Sequence, residues 1–386
     1  MENIQLCPAV SVIIPMFNAE KYVAECLDSL LNQTFQNFEV IVVDDCSTDN
    51  SVAIVKSYVE KFAGCLKIYH MEKNSGSAPA PRNKGSIISR GEYVFFMDVD
   101  DLITPTALEE LYTLAKNFDA DVVYCERYFM SEGFGQEFID NIHLADSRIQ
   151  QPPFVDKPTF ESDNLSERIK NILKGKFWVT PWLRLVSREM LAENMVTFPE
   201  IIGSDDVIWS FEVLCCAKKF LRVPNLCYVR RMYDDSFTRK NKPANKHIHQ
   251  WMDQTIRGLK FTNDFMNKFE FFQKNLDYRY AILDLFSGIS FNSIFFVCAN
   301  LTQEEVYEIF LKEFSKDLGE NAVLVAYLCS HINYLQKISY TNQQRFNEFA
   351  SQAQQRIADL EKINREDKAY ISESENYINE LNRKDV

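Results

Sequence analysis

The chain has 386 residues, 46% of them hydrophobic and 25% charged, proportions that exclude disordered, collagen-like and mucin-like chains. Its formal net charge of -13, from 42 Lys+Arg against 55 Asp+Glu, argues against a general nucleic-acid binder, which would present a basic face. The 10 cysteines contain no CxxC, and Cys215 and Cys216 are adjacent. They suit neither a disulfide framework nor a zinc site, and predict small buried residues in a reducing, cytoplasmic setting. The start, MENIQLCPAVSVIIP, shows no positively charged region ahead of an apolar run, so no signal peptide is expected.

Val10–Ile14 is a continuous apolar run closed by Pro15, the pattern of a buried parallel strand. Ala19–Gln33 follows as a helix, with Val23, Cys26, Leu27, Leu30 and Leu31 at helical intervals. Phe38–Val43 predicts a second buried strand, Ser51–Phe62 a helix and Leu66–Met71 a third strand. Lys84–Ser89 opens a helix, Tyr93–Met97 is a fourth strand, Thr106–Asn117 is helical and Asp121–Tyr124 is a short strand. This alternation predicts an α/β fold with a mostly parallel sheet and helices on both faces. In such sheets ligands bind beyond the carboxyl ends of the strands, where the acidic clusters of this chain fall.

Residues 134–163, the least regular stretch, with Gly135, Pro152, Pro153 and Pro158, read as an active-site loop or an ordered insertion. After Pro243 there is no further proline, and only Gly258, Gly288 and Gly319, a distribution that favours helices. Leu285–Gln303 is uncharged yet carries Ser287, Ser290, Asn292 and Ser293, so a buried helix is expected in preference to a membrane-contacting one. From Phe346 to Leu381 a weak heptad is legible, as a solvated terminal helix or a coiled coil pairing protomers. The organisation expected is a catalytic domain over 1–240, a helical region over 241–339 and a polar C-terminal helix over 340–386.

The carboxylates of Asp98-Val99-Asp100-Asp101 crowd one strand end and repel one another. A hard divalent cation would relieve that repulsion and could bind phosphate oxygens, while a helix N-cap by Asp101 or Thr104 is the plainer alternative. Asp44-Asp45 ends the second strand in the same way, placed to accept hydrogen bonds from a nucleobase or ribose, with Ser47, Thr48 or Asp49 capping the next helix. Arg82, in a loop with no GxxxxGK[ST] pattern, could bind a phosphate or pair with one of the acids. Basic residues mixed with aromatics over Lys170–Arg188 and Arg230–Lys246 suit an anionic lipid or lipid-diphosphate surface, or solvated surface around a Trp-containing core.

Three segments in order, VSVIIPMFNAEKYVAECLDSLLNQTFQNFEVIVVDDCSTDNS, NSGSAPAPRNKG and GEYVFFMDVDD, resemble the family 2 glycosyltransferases of GT-A fold. The resemblance covers about 1–130 and runs on more weakly to about 240. It implies an inverting, Mn²⁺- or Mg²⁺-dependent transfer of a sugar from a nucleotide-diphosphate donor, with UDP the expected carrier. The acceptor class implied is a surface polysaccharide, such as a capsule, or a lipid-linked glycan. Pro15, Phe17 and Asp45 would contact the nucleoside beside Asp44, with Arg82 near the diphosphate. Asp98 and Asp100 match the two acids of the DxD motif around Val99, with Asp100 the expected direct metal ligand.

Farther along, Gly203-Ser204-Asp205-Asp206 is similar to the family's Glu-Asp pair, with Asp205 in place of Glu and Asp206 at the position of the catalytic base. Pro181-Trp182-Leu183-Arg184-Leu185 resembles its Trp-Asn-Lys-Leu segment, with Leu-Arg in place of Asn-Lys. Asp205, Trp182, Arg230 and Arg231 stand as further diphosphate or acceptor contacts. A peripheral membrane contact and self-association through the C-terminal helices complete the partner expectations. A catalytically inactive scaffold, or a nucleotidyl- or phospho-transferase, is the alternative function.

Overall fold

The computed structural model describes residues 8–131, 155–177, 179–201, 203–231, 244–298 and 301–318, and 322–356 apart from 346, 349, 350 and 353. Most of the expected 134–163 loop, and the heptad beyond 356, lie outside the described residues. The chain forms two compact units, Met1–Ser290 and Phe291–Val386.

In the first unit β1 (Val10–Met16), β2 (Phe38–Asp44), β3 (Leu66–His70) and β4 (Tyr93–Phe96) are mutually parallel and lie in the order β3-β2-β1-β4. Every residue of β2 and β4 is buried, as a strand covered on both faces demands of an apolar run. The register Met16↔Asp44 and Ile13↔Phe96 brings the carboxyl ends of β1, β2 and β4 side by side. α1 (Val23–Leu31), α2 (Ser51–Tyr58) and α3 (Pro79–Ile88) form the crossovers, α1 burying Val23, Cys26, Leu27 and Leu30.

α3 begins five residues before the expected start at Lys84. Pro79 and Pro81 stand in its first turn, where the missing N–H has no helical partner in any case. Gly85 fixes how closely this helix lies on the sheet, since a Cβ there would meet Ile13 Cγ2 at 2.3 Å. Arg82, just under one turn earlier, is thereby held over the strand ends.

Beyond β4 the sheet changes character. β5 (Leu102–Ile103) and α4 (Ala107–Phe118) lead to β6 (Val122–Ser131), which does not join β4 directly. β8 (Arg184–Ser187) lies between them, antiparallel to both. β9 (Phe220–Arg231) runs parallel to β6 and antiparallel to β5 and to β7 (Thr159–Phe160). β6 outruns its expected end at Tyr124 because Glu126 is matched inside the sheet by Arg222 of β9, which also binds Glu161 at 3.1 Å. α5 (Leu165–Leu173), α6 (Arg188–Glu193) and α7 (Asp205–Cys216) complete this half.

The core continues past residue 240: from α8 (Ala244–Met266), α9 (Glu270–Lys274) and α10 (Leu276–Cys298), the side chains Phe265, Phe272 and Phe286 pack against Phe211 of α7. In the second unit α11 (Gln303–Leu318) and a helix over 322–345, here α12, bury Val306, Phe310, Ala322, Ala326 and Cys329. Among the described residues no helix is long and apolar enough to cross a membrane. The nine described cysteines are all free, and five of them are buried.

Candidate active site

The end of β2 is an acid pair met by serine and histidine groups of the neighbouring loops. Asp44 accepts the Ser47 N–H at 3.1 Å, and its other oxygen lies 3.0 Å from His70 Nδ1. Asp45 accepts the Ser75 N–H at 2.9 Å and the Ser75 hydroxyl at 2.9 Å. Both acids are buried, while Pro15 is half-buried and Phe17, at the end of β1, is half exposed. Asn18 and Cys46 take positive φ in the facing turns, and Asn18 Oδ1 accepts the Thr48 N–H at 2.8 Å. The two loops are therefore tied into one rigid rim beside Phe17.

The end of β4 is built differently. The carboxylate oxygens of Asp98, Asp100 and Asp101 lie within 4.8 Å of one another. Asp101 is buried, its Oδ2 accepting from Tyr228 at 2.8 Å and its Oδ1 from the Arg231 N–H at 2.8 Å. The Asp98 N–H donates to the same Tyr228 hydroxyl at 3.1 Å. Burial, then the charges of Asp100 and Asp98, push the Asp101 carboxyl well above the carboxylate range. Asp101 is thus a brace tying the turn to β9, and Asp98 and Asp100 are half-buried beside it.

Arg82 joins this cluster to α7. It is 4% exposed, and its guanidinium donates to Asp98 Oδ1 at 2.8 Å, to Asp205 Oδ2 at 3.2 Å and to Asp206 Oδ1 at 2.5 Å. The first of these partners is 16 residues away in sequence and the other two 123 and 124. Its charged form is secured, since the three carboxylates outweigh the cost of burial. Asn83 fixes the approach, with its side chain donating to the Phe198 carbonyl and accepting the Phe198 N–H, both at 2.8 Å. Phe198 stacks at 4.7 Å on Trp209 of α7, which meets Phe96 of β4 edge-on, and the Arg82 guanidinium lies 5.2 Å from the Phe198 ring.

The first turn of α7 presents Asp205 buried and Asp206 half-buried. Burial and the neighbouring Asp206 push Asp205 up to about 8, against the pull of Arg82. Asp206 is also raised, by burial first, and accepts a hydrogen bond from Asp205. Both carboxyls are therefore raised, by burial first, with Arg82 opposing the rise at both.

The side chains of Trp182, Arg231 and Arg184 are each engaged by other partners. Trp182 is 4% exposed and stacked on Tyr228 at 4.4 Å, so its ring backs the Asp101 brace and presents no open face to a sugar. Arg231 is buried, bound to Glu25 at 2.5 Å and set over the Tyr22 ring. Arg230 is half-buried beside Tyr128. Arg184 is buried, bonded to the Thr180 carbonyl and to Ser210 at 3.1 Å, and burial lowers it to about 10. Sequence reasoning missed Asn83, Phe198 and Tyr228. Asn83 had a signal as the residue beside Arg82; nothing local marks the other two.

Comparison with known proteins fits this arrangement. Residues 11–193 match the family described as Glycosyl transferase family 2. The glycosyltransferase GlyG of Streptococcus pneumoniae is 38% identical over 237 residues, covering 60% of this chain and 73% of that protein. The poly(ribitol-phosphate) beta-N-acetylglucosaminyltransferase TarP of Staphylococcus aureus is 30% identical over 214 residues, 55% of this chain and 59% of that one. The chain thus spans between about three fifths and three quarters of these relatives' lengths. The crystal structure of S. aureus TarS 1-349 in complex with UDP-GlcNAc superposes with a TM-score of 0.53 at 21% identity, covering 85% of this chain and 91% of the other, a likeness of fold. The chain belongs to the family 2 glycosyltransferases and is a glycosyltransferase of GT-A fold.

Proposed function

We propose that this glycosyltransferase is an inverting, metal-assisted enzyme that moves a sugar from a UDP-sugar to a hydroxyl of a polysaccharide or lipid-linked glycan. The observation that carries the reading is Arg82, whose one guanidinium binds Asp98 on the strand end and Asp206 on α7. Leaving-group and attack sides of a transfer would then lie on either side of one residue. A UDP-GlcNAc-bound structure of the same fold and a poly(ribitol-phosphate)-modifying relative support the donor and acceptor classes.

Asp98 and Asp100 would hold a Mn²⁺ or Mg²⁺, since hard oxygen donors this close suit such an ion and Asp101 is engaged by Tyr228 and Arg231. When bound, the metal supplies charge neutralisation for the departing diphosphate. Phe17, Pro15 and Asp45 would border the nucleoside, with Asp44 as the strut beneath. Half-buried Arg230 is assigned to a diphosphate or acceptor contact, and buried Asp205 to a contact beside Arg82.

In the chemical step the acceptor oxygen attacks the anomeric carbon from the face opposite the diphosphate. The new C–O bond forms as the bond to diphosphate breaks, its electron pair leaving with the diphosphate and the hydroxyl proton passing to Asp206. Asp205 shares the Arg82 guanidinium with Asp206 and so helps to fix the position of the base.

The test is Asp206→Asn. Transfer is expected to fall by about 10²–10⁴-fold, the contribution typical of a general base, while affinity for UDP with Mn²⁺ stays unchanged. Near-normal turnover, or a loss fully accounted for by weaker donor binding, overturns the role. A large defect in Asp205→Asn with a normal Asp206→Asn moves the base by one residue.

A further inference from the structure

The outward face of α12 is apolar over four turns. Val323, Leu324, Tyr327, Leu328, Tyr334, Leu335 and Ile338 are each more than two fifths exposed, while Ala322, Ala326, Cys329, Ser330 and Asn333 are buried on the opposite side. At about 100° per residue the exposed set spans an arc of roughly 140°, about two fifths of the helix circumference. His331 lies between two of its aromatics, stacked 5.8 Å from Tyr327 and 6.2 Å from Tyr334. A continuous patch of this kind marks an interaction surface.

Charge says what covers it. From Asn321 to Asn347 the sequence has no Asp or Glu, in a chain that carries 55 of them. The only fixed charges in that stretch are the exposed cations Lys337 and Arg345. A second copy of the helix would set like charge against like and bury a narrower seam than this arc. Tyrosines around an apolar face, with cations and no acids, are instead the composition of a helix lying in a membrane interface.

We propose that α12 docks on an anionic phospholipid surface, with Leu324, Leu328, Leu335 and Ile338 in the acyl boundary and Lys337 and Arg345 at the headgroups. The proposal is independent of the transfer chemistry.

The experiment is flotation of the full chain with phosphatidylcholine vesicles, with and without phosphatidylglycerol. Wild type is expected to float with the phosphatidylglycerol vesicles and more weakly with the neutral ones. The double variant Leu328→Glu/Leu335→Glu should lose about tenfold in bound fraction, because it places charge in the apolar face. Lys337→Ala/Arg345→Ala should lose only the preference for phosphatidylglycerol, and supplies a second reading should the first variant fold poorly. Unchanged circular dichroism and UDP binding check that each variant is intact. No flotation of wild type, or equal flotation with both vesicle types, overturns the proposal. So does a lipid-free dimer in sedimentation that Leu328→Glu/Leu335→Glu converts to monomer, which would make the face a seam between copies.

Discussion

The ends of β2 and β4 look alike in sequence, each a buried apolar run closed by neighbouring aspartates, and the fold treats them in opposite ways. At β2 the acids are engaged by groups of the loops they hold, Ser47 and His70 on Asp44 and Ser75 on Asp45. At β4 the acids face one another and draw in Arg82, which also binds two acids of α7. A carboxylate ringed by N–H and O–H groups is stable as it stands. A cluster of carboxylates around one buried cation retains excess negative charge, and that is what a metal and a departing diphosphate can use. The partners that the fold gives an acid pair therefore matter more than the pair itself.

The sharpest way to break this contrast is to remove one acid from each end. Asp100→Ala is expected to weaken the Mn²⁺-dependent part of UDP binding by at least about 100-fold, the upper end of what even outer-shell metal partners contribute. Its unfolding midpoint without metal should hold or rise, because a repelling charge has gone. Calorimetric titration of UDP with and without Mn²⁺ checks this, and an unchanged metal response excludes Asp100 as a ligand. Asp45→Ala should act more mildly, weakening UDP about tenfold, as for one lost hydrogen bond of about 1.4 kcal/mol, with the metal response intact. If instead Asp45→Ala abolishes the metal response, the two strand ends have been assigned the wrong way round.

How far the sequence carried this contrast depends on the range of each interaction. The strands β1 to β4 were legible because burial on both faces leaves an uninterrupted apolar run in the chain itself. The start of α3 was not, because Pro79 and Pro81 carry the same local signal whether they sit in a loop or in a first helical turn. β8 escaped notice for a different reason: it is four residues long and begins with Arg184, whose burial depends on Thr180, Ser210 and Tyr124. In the site, the separate acids and Arg82 were readable as candidates, with the family resemblance supplying their roles. Their meeting was not readable, since Arg82 and Asp206 are 124 residues apart and are brought together by Asn83, Phe198 and Trp209. The reading of Trp182 as an acceptor contact shows the same limit, because an exposed stacking ring and a buried brace have one sequence signature.

A buried acid on α7 outside the cluster sharpens the comparison further. Glu212 lies in the helix that carries Asp205 and Asp206, is 3% exposed, and is pushed up to about 8 by burial, with only a partial counter-pull from Lys268. Its raised value marks desolvation alone. In the unfolded chain the carboxyl ionises near the ordinary 4.5, so between about 4.5 and 8 the folded state holds a proton that the unfolded state has released. The Glu212 contribution to stability is therefore complete below pH 4.5 and is lost as pH rises towards 8. Glu212→Gln keeps the shape and removes the titration. It should be more stable than wild type at pH 8 by on the order of 1–3 kcal/mol and nearly equal to it at pH 5. Part of the slope should survive in the variant, because Asp101, Asp205 and Asp206 are raised as well. Melting curves of both proteins across pH 5 to 8 check this, with a gap of a few degrees expected only at the alkaline end. Parallel curves would mean that Glu212 is already ionised in the folded protein.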